Sequence, residues 1–522
     1  MPAASSSPSH HDHQALTEHP VAVIDFGSQY TQLIVRRVRE LGYYSRLYQP
    51  EELAAVAGAP AVILSGGPRS VSEPGAPDID FDQLRGFNVP VLGICYGMQL
   101  SNLKWGGEVS PCHTREYGPA DLVLNGADGG PLLAGLPDRS RIWMSHSDTV
   151  TRWPDGTRVL GRNEQGIPVA LQWADNYFGI QFHPEVSHTE QGRQVLANFL
   201  SLATGAPRFE IESLKQELIE QIQTEVDGRA VVCGVSGGVD STVLAMLLHE
   251  AGVDLRPVFV DTGLLRKDEA REVVANFLEL GVEIEMVDAS AKFMATLAGV
   301  DDPEEKRRRI GNLFIDVFFD AVAPIEVLAQ GTLYPDVIES ATSGSIASKI
   351  KTHHNRVDRI LELKAAGRVV EPLSELFKDE VRALGRALGI PAHILNRHPF
   401  PGPGMAVRVP GEVTPEKLAI TRDGDKIFID MLKESGWYDK IWQAYCALIP
   451  VRTVGVKGDE RSYEFAVSLR AVISEDAMTA DWVELPPDLL RRISNRLLNE
   501  VPGINRVLYD ISTKPPASIE WE

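Results

Sequence analysis

The chain has 522 residues, room for roughly three to five domains at the usual domain size, so a small scaffold stapled by disulfides or metals is excluded. Hydrophobic residues at 43% and charged residues at 24% are ordinary globular values, which exclude a disordered chain and a membrane bundle. With 51 Lys and Arg against 72 Asp and Glu, the net charge of −21 repels polyanions; bulk nucleic-acid binding is excluded, whereas a nucleotide pocket is not.

Residues 1–19 are rich in Ser, Pro and His without an apolar period and read as a disordered leader, with His10, His11 and His13 as tail composition rather than a metal site. No apolar run approaches the ~18 residues of a membrane span and no secretory signal opens the chain, so a cytoplasmic protein without a membrane partner is expected. From Val21 the pattern alternates strand and helix: VAVID (21–25), an amphipathic stretch through Arg39, AVILSGG (61–67), then VPVLGICYG (89–97) running into a helix. Such alternation predicts a parallel sheet covered by helices. SLATGAPRFE (201–210) reads as a linker. A second alternating region starts at RAVVCGVSGG (229–238) and continues through LRPVFVD (255–261), VEIEMVD (282–288) and IEVLAQG (325–331). Prolines and glycines of HPFPGPG (398–404) open a third region, whose strand-like YEFAVSLRAV and RVLYDIS predict a small α+β module. The expected division is 1–19 leader, 20–206, 207–397 and 398–522.

Four cysteines, Cys95, Cys112, Cys233 and Cys446, stand far apart without a C-x-x-C pair, which argues against a disulfide framework or zinc ribbon. Cys95 has a distinctive setting. Gly93-Ile94-Cys95-Tyr96-Gly97 places it where an apolar strand turns into a helix, and glycines on both sides suit a turn too sharp for neighbouring side chains. The helix N-terminus there favours a thiolate, and the Tyr96 amide can face a developing oxyanion. Gly67, in the Ser65-Gly66-Gly67-Pro68 turn, supplies the second donor. In GIQFHPE (179–185), His183 and Glu185 are two apart in an extended segment and point the same way, so the carboxylate can orient the imidazole that serves Cys95 as base. An isolated cysteine is a buried apolar residue by default and an isolated His near a Glu a surface pair; the combination points to a Cys, His, Glu triad. Over residues 21–206 this arrangement resembles the class I glutamine amidotransferases, which implies glutamine hydrolysis through a thioester and transfer of ammonia to a synthase. MSHSD (144–148) resembles a family element, departing from it at Ser147.

Ser236, Gly237, Gly238, Val239, Asp240, Ser241 and Thr242 follow the second region's first strand and open an apolar helix. Consecutive glycine amides with a helix N-terminus make an anion cradle, and the three hydroxyls add donors. No Gly-Lys dipeptide occurs in the chain, so the lysine of kinase-like phosphate loops is missing. SGGVDS resembles the PP-loop of the ATP pyrophosphatases, which implies ATP as co-substrate, cleaved between α and β phosphates. Charge on the leaving pyrophosphate calls for magnesium, with Asp240 the nearest candidate ligand. Cys233 reads as a small buried hydrophobe.

The segments LAQGTLYPDVIES (328–340), IKTHHN (350–355), EPLSELFKDEVR (371–382), RHPFPGPGMAVRV (397–409) and GINRVLYDISTKPPASIEWE (503–522) resemble the glutamine-hydrolysing GMP synthetase family over nearly all of residues 21–522. The resemblance implies a ligase of α/β class: an amidotransferase domain and a PP-loop (adenine nucleotide alpha-hydrolase-like) domain, each on a parallel sheet, plus a small α+β dimerisation domain, hence a homodimer. Its implied reactants are glutamine, ATP and xanthosine monophosphate, in the last step of de novo GMP synthesis. Arg307, in the lid-like DDPEEKRRRIGNLFI (301–315), together with Lys514, Glu520 and Arg408, falls on positions expected at the nucleotide, while Arg308 and Arg309 read as a solvated helix face. After KTHHN the family continues with a valine and two glycines; here Arg356-Val357-Asp358-Arg359-Ile360 is helix-compatible, and His353 and His354 stay open between structural and catalytic roles. The density of Pro515, Pro516, Ile519 and Trp521 predicts a docked tail. NAD synthetase-type and tRNA-thiolating enzymes are the rival PP-loop classes; the first uses an unrelated glutaminase, the second needs exposed cysteines and a basic face.

Overall fold

A computed structural model describes residues 19–28, 30–124, 129–206, 208–333, 354–457, 459–474 and 479–522. Most of the expected leader, with His10, His11 and His13, lies outside the described residues, as do the Cys112 side chain, His353 and the His354 side chain. The chain forms two compact units, Met1–Leu214 and Lys215–Glu522.

The first unit holds β1 (Val21–Ile24), β2 (Ser45–Tyr48), β3 (Val62–Leu64), β4 (Val91–Ile94), β5 (Glu108–Val123), β6 (Arg139–Arg152), β7 (Arg158–Asn163), β8 (Pro168–Ala174) and β9 (Tyr177–Ile180). They make one sheet in the order β2-β1-β3-β4-β9-β8-β7-β5-β6. The β2-to-β9 half is parallel, as the strand-helix alternation predicts, and β1, β3, β4 and β9 are buried throughout, as strands covered on both faces must be, while edge strand β2 is half-buried. The β8-to-β6 half is antiparallel, which the sequence reading did not anticipate. The reason lies in β6: its inward positions are Ser140, Ile142, Met144, His146, Asp148 and Val150, all buried, so polar residues break the apolar alternation that marks a strand.

In the second unit β10 (Val231–Val235), β11 (Leu255–Asp261), β12 (Glu285–Asp288), β13 (Val327–Ala329) and β14 (Val369–Val370) form a wholly parallel sheet ordered β12-β11-β10-β13-β14. Strand order reverses at β10, and in such sheets the crevice beyond the strand's carboxyl end is where ligands bind. Four further strands, β15 (Gln443–Lys457), β16 (Glu460–Ile473), β17 (Asp481–Trp482) and β18 (Ile504–Tyr509), make a separate sheet. The helix Pro415–Glu434 packs on it, and one hydrophobic cluster joins Val232, Val258 and Phe318 to Met405, Phe428, Leu469 and Ile493. Residues 398–522 therefore share a core with the parallel sheet. His398 at the start of HPFPGPG is held as neutral imidazole: burial pushes its pKa down to about 4, its Nδ1 accepts from the Ala444 amide at 3.1 Å, and Nε2 donates to the Tyr438 carbonyl at 2.9 Å. The helix-compatible segment after KTHHN is a helix, His354–Ala365. Among the described residues no helix is long and apolar enough to cross a membrane.

Candidate active sites

Cys95 joins β4 to the helix Tyr96–Lys104 with φ 49° and ψ −101°, a conformation that a side chain adopts only under strain and that the surrounding fold must enforce. Both glycines of the motif are required by close approach. A Cβ on Gly93 would lie 2.6 Å from the Gly97 carbonyl, and one on Gly97 would collide with the Leu64 carbonyl of the adjacent strand. Cys95 is 4% exposed, and its Sγ hydrogen-bonds the Ser145 carbonyl at 3.6 Å.

His183 and Glu185 follow β9, which lies beside β4, and the pairing brings them to Cys95. Glu185 Oε1 stands 2.6 Å from His183 Nδ1, with both residues buried. Burial alone would lower the imidazole pKa; the charge of Glu185 and hydrogen bonds to Cys95 and Glu185 outweigh it and hold His183 well above its ordinary value. The second Glu185 oxygen is buried without a hydrogen-bond partner among the described residues. The turn carrying Gly67 borders both imidazole and elbow. Gly97 N donates to the Ser65 carbonyl at 3.0 Å, a Cβ on Gly66 would lie 3.2 Å from His183 Cε1, and one on Gly67 3.0 Å from Tyr96 Cγ. Tyr96 is the first helical residue, so its amide has no intrahelical acceptor. Stored strain, a paired base and the helix-start amide of Tyr96 beside the thiol suit acyl transfer to sulfur.

Sequence reasoning missed the groups that hold this triad. The Thr189 hydroxyl donates to the His183 carbonyl at 2.5 Å and accepts from the Trp143 amide at 3.1 Å. Arg37 Nε donates to the Glu185 carbonyl at 3.0 Å, and the Tyr30 ring meets the His183 ring edge-on at 5.1 Å. Only Thr189, four residues past Glu185, was within reach of a local reading.

The glycine cradle lies at the carboxyl end of β10, where strand order reverses. Gly238 caps the helix Val239–Glu250, and the positive end of the helix dipole faces the loop. The Ser241 hydroxyl accepts from the Ser236 amide at 3.1 Å, and the Gly238 amide donates to Ser236 Oγ at 3.2 Å. Thr242 is buried, and its hydroxyl donates to the Gly238 carbonyl at 2.8 Å, which commits it to the turn itself. Val239 is likewise buried. Asp240 Oδ2 lies 3.4 Å from Lys378 Nζ, while Oδ1 is buried without a hydrogen-bond partner among the described residues, an orphaned acceptor suited to a hard cation. Lys378 belongs to the quoted ELFKDEVR segment, yet nothing local marked it as facing Asp240. Cys233 is fully buried and its thiol pushed up to about 12 by desolvation, so no reactive sulfur attends the loop there.

The positions expected at a nucleotide gather around the docked segment 512–522. Arg408 is fully buried, its guanidinium 3.2 Å from Glu520 and 3.6 Å from Asp425, over the Tyr445 ring at 4.4 Å. Glu520 also accepts from Gln443 Nε2 at 2.6 Å. Tyr445 Oη and Arg470 Nε both donate to the Ile519 carbonyl, at 2.7 and 2.9 Å. Lys514 pairs with Ala480 through an isolated backbone bridge. The expected lid residues form the first turns of the helix Pro303–Val322, capped by Asp302. There Arg307 donates to the Glu522 backbone carbonyl, Arg308 and Arg309 pair with Glu305, and Lys306 is fully buried against Glu522 and the Val409 carbonyl.

Three family models match the chain: glutamine amidotransferase class-I over residues 22–203, tRNA methyl transferase HUP domain over 229–298, and GMP synthase C terminal domain over 430–521. Among full-length relatives, the GMP synthase [glutamine-hydrolyzing] of Thermosipho melanesiensis is 49% identical over 516 residues, covering 96% of this chain and 99% of that one. Those of Symbiobacterium thermophilum and Chlorobaculum tepidum are each 50% identical, with the same coverages.

Proposed function

The chain belongs to the glutamine-hydrolysing GMP synthase family, and from that premise we propose that it converts xanthosine monophosphate to GMP, with glutamine as nitrogen donor and ATP cleaved to AMP and pyrophosphate. The observation that carries this reading is a single chain holding both a buried Cys95, His183, Glu185 constellation and a glycine phosphate cradle without a lysine of the kinase type. Residues 20–206 act as the glutaminase, 207–397 as the ATP-cleaving part, and 398–522 in nucleotide binding and dimerisation.

Cys95 Sγ attacks the glutamine side-chain amide carbon, and the oxyanion is received by the Gly67 and Tyr96 amides. His183, kept basic by Glu185, takes the Cys95 thiol proton and passes it to the departing ammonia, and water then frees glutamate from the thioester. In the second unit the 2-oxo oxygen of xanthosine monophosphate attacks the α phosphorus of ATP and pyrophosphate leaves. Ammonia attacks C2 of the adenylated purine, and AMP departs with the former oxo oxygen. Adenylation is needed because a urea-like carbonyl is a poor electrophile and binding energy alone supplies no leaving group. The amides at 236–238 and the hydroxyls of Ser236 and Ser241 hold phosphates, with Val239 and Thr242 shaping the turn. Asp240 would hold a magnesium ion, which supplies charge neutralisation to the pyrophosphate. Lys514 and Glu520 meet the nucleotide, Arg307 approaches it from the helix 303–322, and Arg408 acts through Glu520.

A homodimer is part of the reading. Val454, Val456 and Tyr463 stand on one face of β15 and β16, Val454 directly opposite Tyr463, each more than half exposed, an apolar patch that a second copy would cover.

The test is product analysis. Cys95→Ala should lose glutamine-driven GMP formation and keep ammonia-driven formation, whereas Asp240→Ala should lose both. ADP and inorganic phosphate from wild-type enzyme, in place of AMP and pyrophosphate, would refute the assignment.

A further inference from the structure

The phosphate-binding amides work only if they point toward the ligand. A peptide unit is planar and trans, so its C=O and N–H point in opposite directions, and whatever fixes the Gly237 carbonyl also fixes the Gly238 amide. That carbonyl accepts a 2.8 Å hydrogen bond from Arg397 Nη1. The other terminal nitrogen of Arg397 is ion-paired with Glu269, a residue only 4% exposed. Glu269 is itself fixed, since its Oε2 accepts from the Arg266 amide at 2.9 Å and it opens the helix Glu269–Glu279. The same helix closes the other side of the loop. Gly237 has φ +72°, and any Cβ there would run into the Val273 side chain. The Gly238 amide, turned away from Arg397, donates among the described residues to Ser236 Oγ at 3.2 Å, a long bond that a phosphate oxygen can displace.

We propose that Arg397 is a positioning residue for the phosphate cradle: by holding the Gly237 carbonyl it aims the Gly238 amide at the ATP phosphates, with Glu269 as its anchor. Because Glu269 balances its charge, Arg397 contributes orientation rather than Coulomb attraction. Its guanidinium also borders a cavity of about 620 Å³ that Glu269, Arg266, Asn396 and Tyr438 help to line, so a side chain removed there leaves space open to small solutes. The proposal rests on the reading that this loop binds ATP.

The experiment is ammonia-driven synthesis by the full chain, with KM measured separately for ATP, xanthosine monophosphate and ammonium. Arg397→Ala should raise KM for ATP about tenfold, the loss of one charge-assisted hydrogen bond, and leave the other two within about twofold. Arg397→Lys should recover most of the loss. Millimolar guanidinium should lower KM for ATP in Arg397→Ala and leave wild type unchanged. If Arg397→Ala does not fold, Glu269→Gln, which keeps shape but weakens the anchor, should raise KM for ATP alone. Unchanged KM for ATP in a folded variant, or equal rises for both nucleotides without guanidinium rescue, overturns the proposal. Wild-type enzyme releasing ADP would instead overturn the ATP-cleavage reading.

Discussion

Replacing Glu185 by glutamine removes one charge and almost no volume from the glutaminase centre. In the native chain the imidazole and carboxylate side chains are 3% and 1% exposed and 2.6 Å apart, so the interaction is a dry, charge-assisted hydrogen bond. Such a bond is worth about 1.5–3 kcal/mol, which as lost transition-state stabilisation is roughly a ten- to hundredfold fall in glutamine turnover. The pH dependence carries the sharper signature. Burial opposes the imidazolium and Glu185 restores it, with the net pKa of His183 well above 6.5. Without that charge burial prevails, the pKa falls, and the alkaline limb of glutaminase activity moves to lower pH. Stability follows the same sign: a raised pKa stabilises the fold fully below the unfolded value of about 6.5, and that contribution fades as pH rises through the folded pKa. Urea midpoints of Glu185→Gln and wild type should therefore differ most in acid and converge in alkali, while ammonia-driven AMP formation stays the same. A glutamine turnover within twofold of wild type, with an unmoved alkaline limb, would refute the role given to Glu185.

Two other outcomes are expected. Glu522→Gln leaves the fully buried Lys306 ammonium without its carboxylate, which should cost about 3–5 kcal/mol in denaturant unfolding of the second unit, and Lys306→Met in the same background should recover much of it. Equal midpoints for Glu522→Gln and wild type would show the pair to be unimportant. If the chain assembles as the proposed homodimer, Val454→Glu combined with Tyr463→Glu should shift the sedimenting species from dimer to monomer by charging an exposed apolar face; an unchanged mass would place the contact elsewhere.

What could be read from the chain was whatever obeys local rules. The elbow at Cys95 is legible because Gly93 and Gly97 serve a turn that brooks no side chain. His183 and Glu185 are legible because two residues of extended backbone put them on one side, and the cradle at 236–238 because strand, glycines and helix start are contiguous. Arg308 and Arg309 pair with Glu305 within one helical turn, as a solvated face predicts. The tail expected to dock on the density of Pro515, Pro516, Ile519 and Trp521 does so through Ile519, Glu520 and Glu522, whereas Pro515, Pro516 and Trp521 stay exposed. Tertiary structure alone decided the rest. The antiparallel half of the first sheet was hidden by polar residues on its inward face, and Arg37, Lys378 and Arg397 come to their sites from 148, 138 and 160 residues away from the groups they touch. Arg408, expected near a ligand, is fully buried over Tyr445 because Asp425 and Glu520 neutralise it there. A side chain's charge is written in the sequence; whether a partner far along the chain arrives to neutralise it depends on how sheets and helices pack.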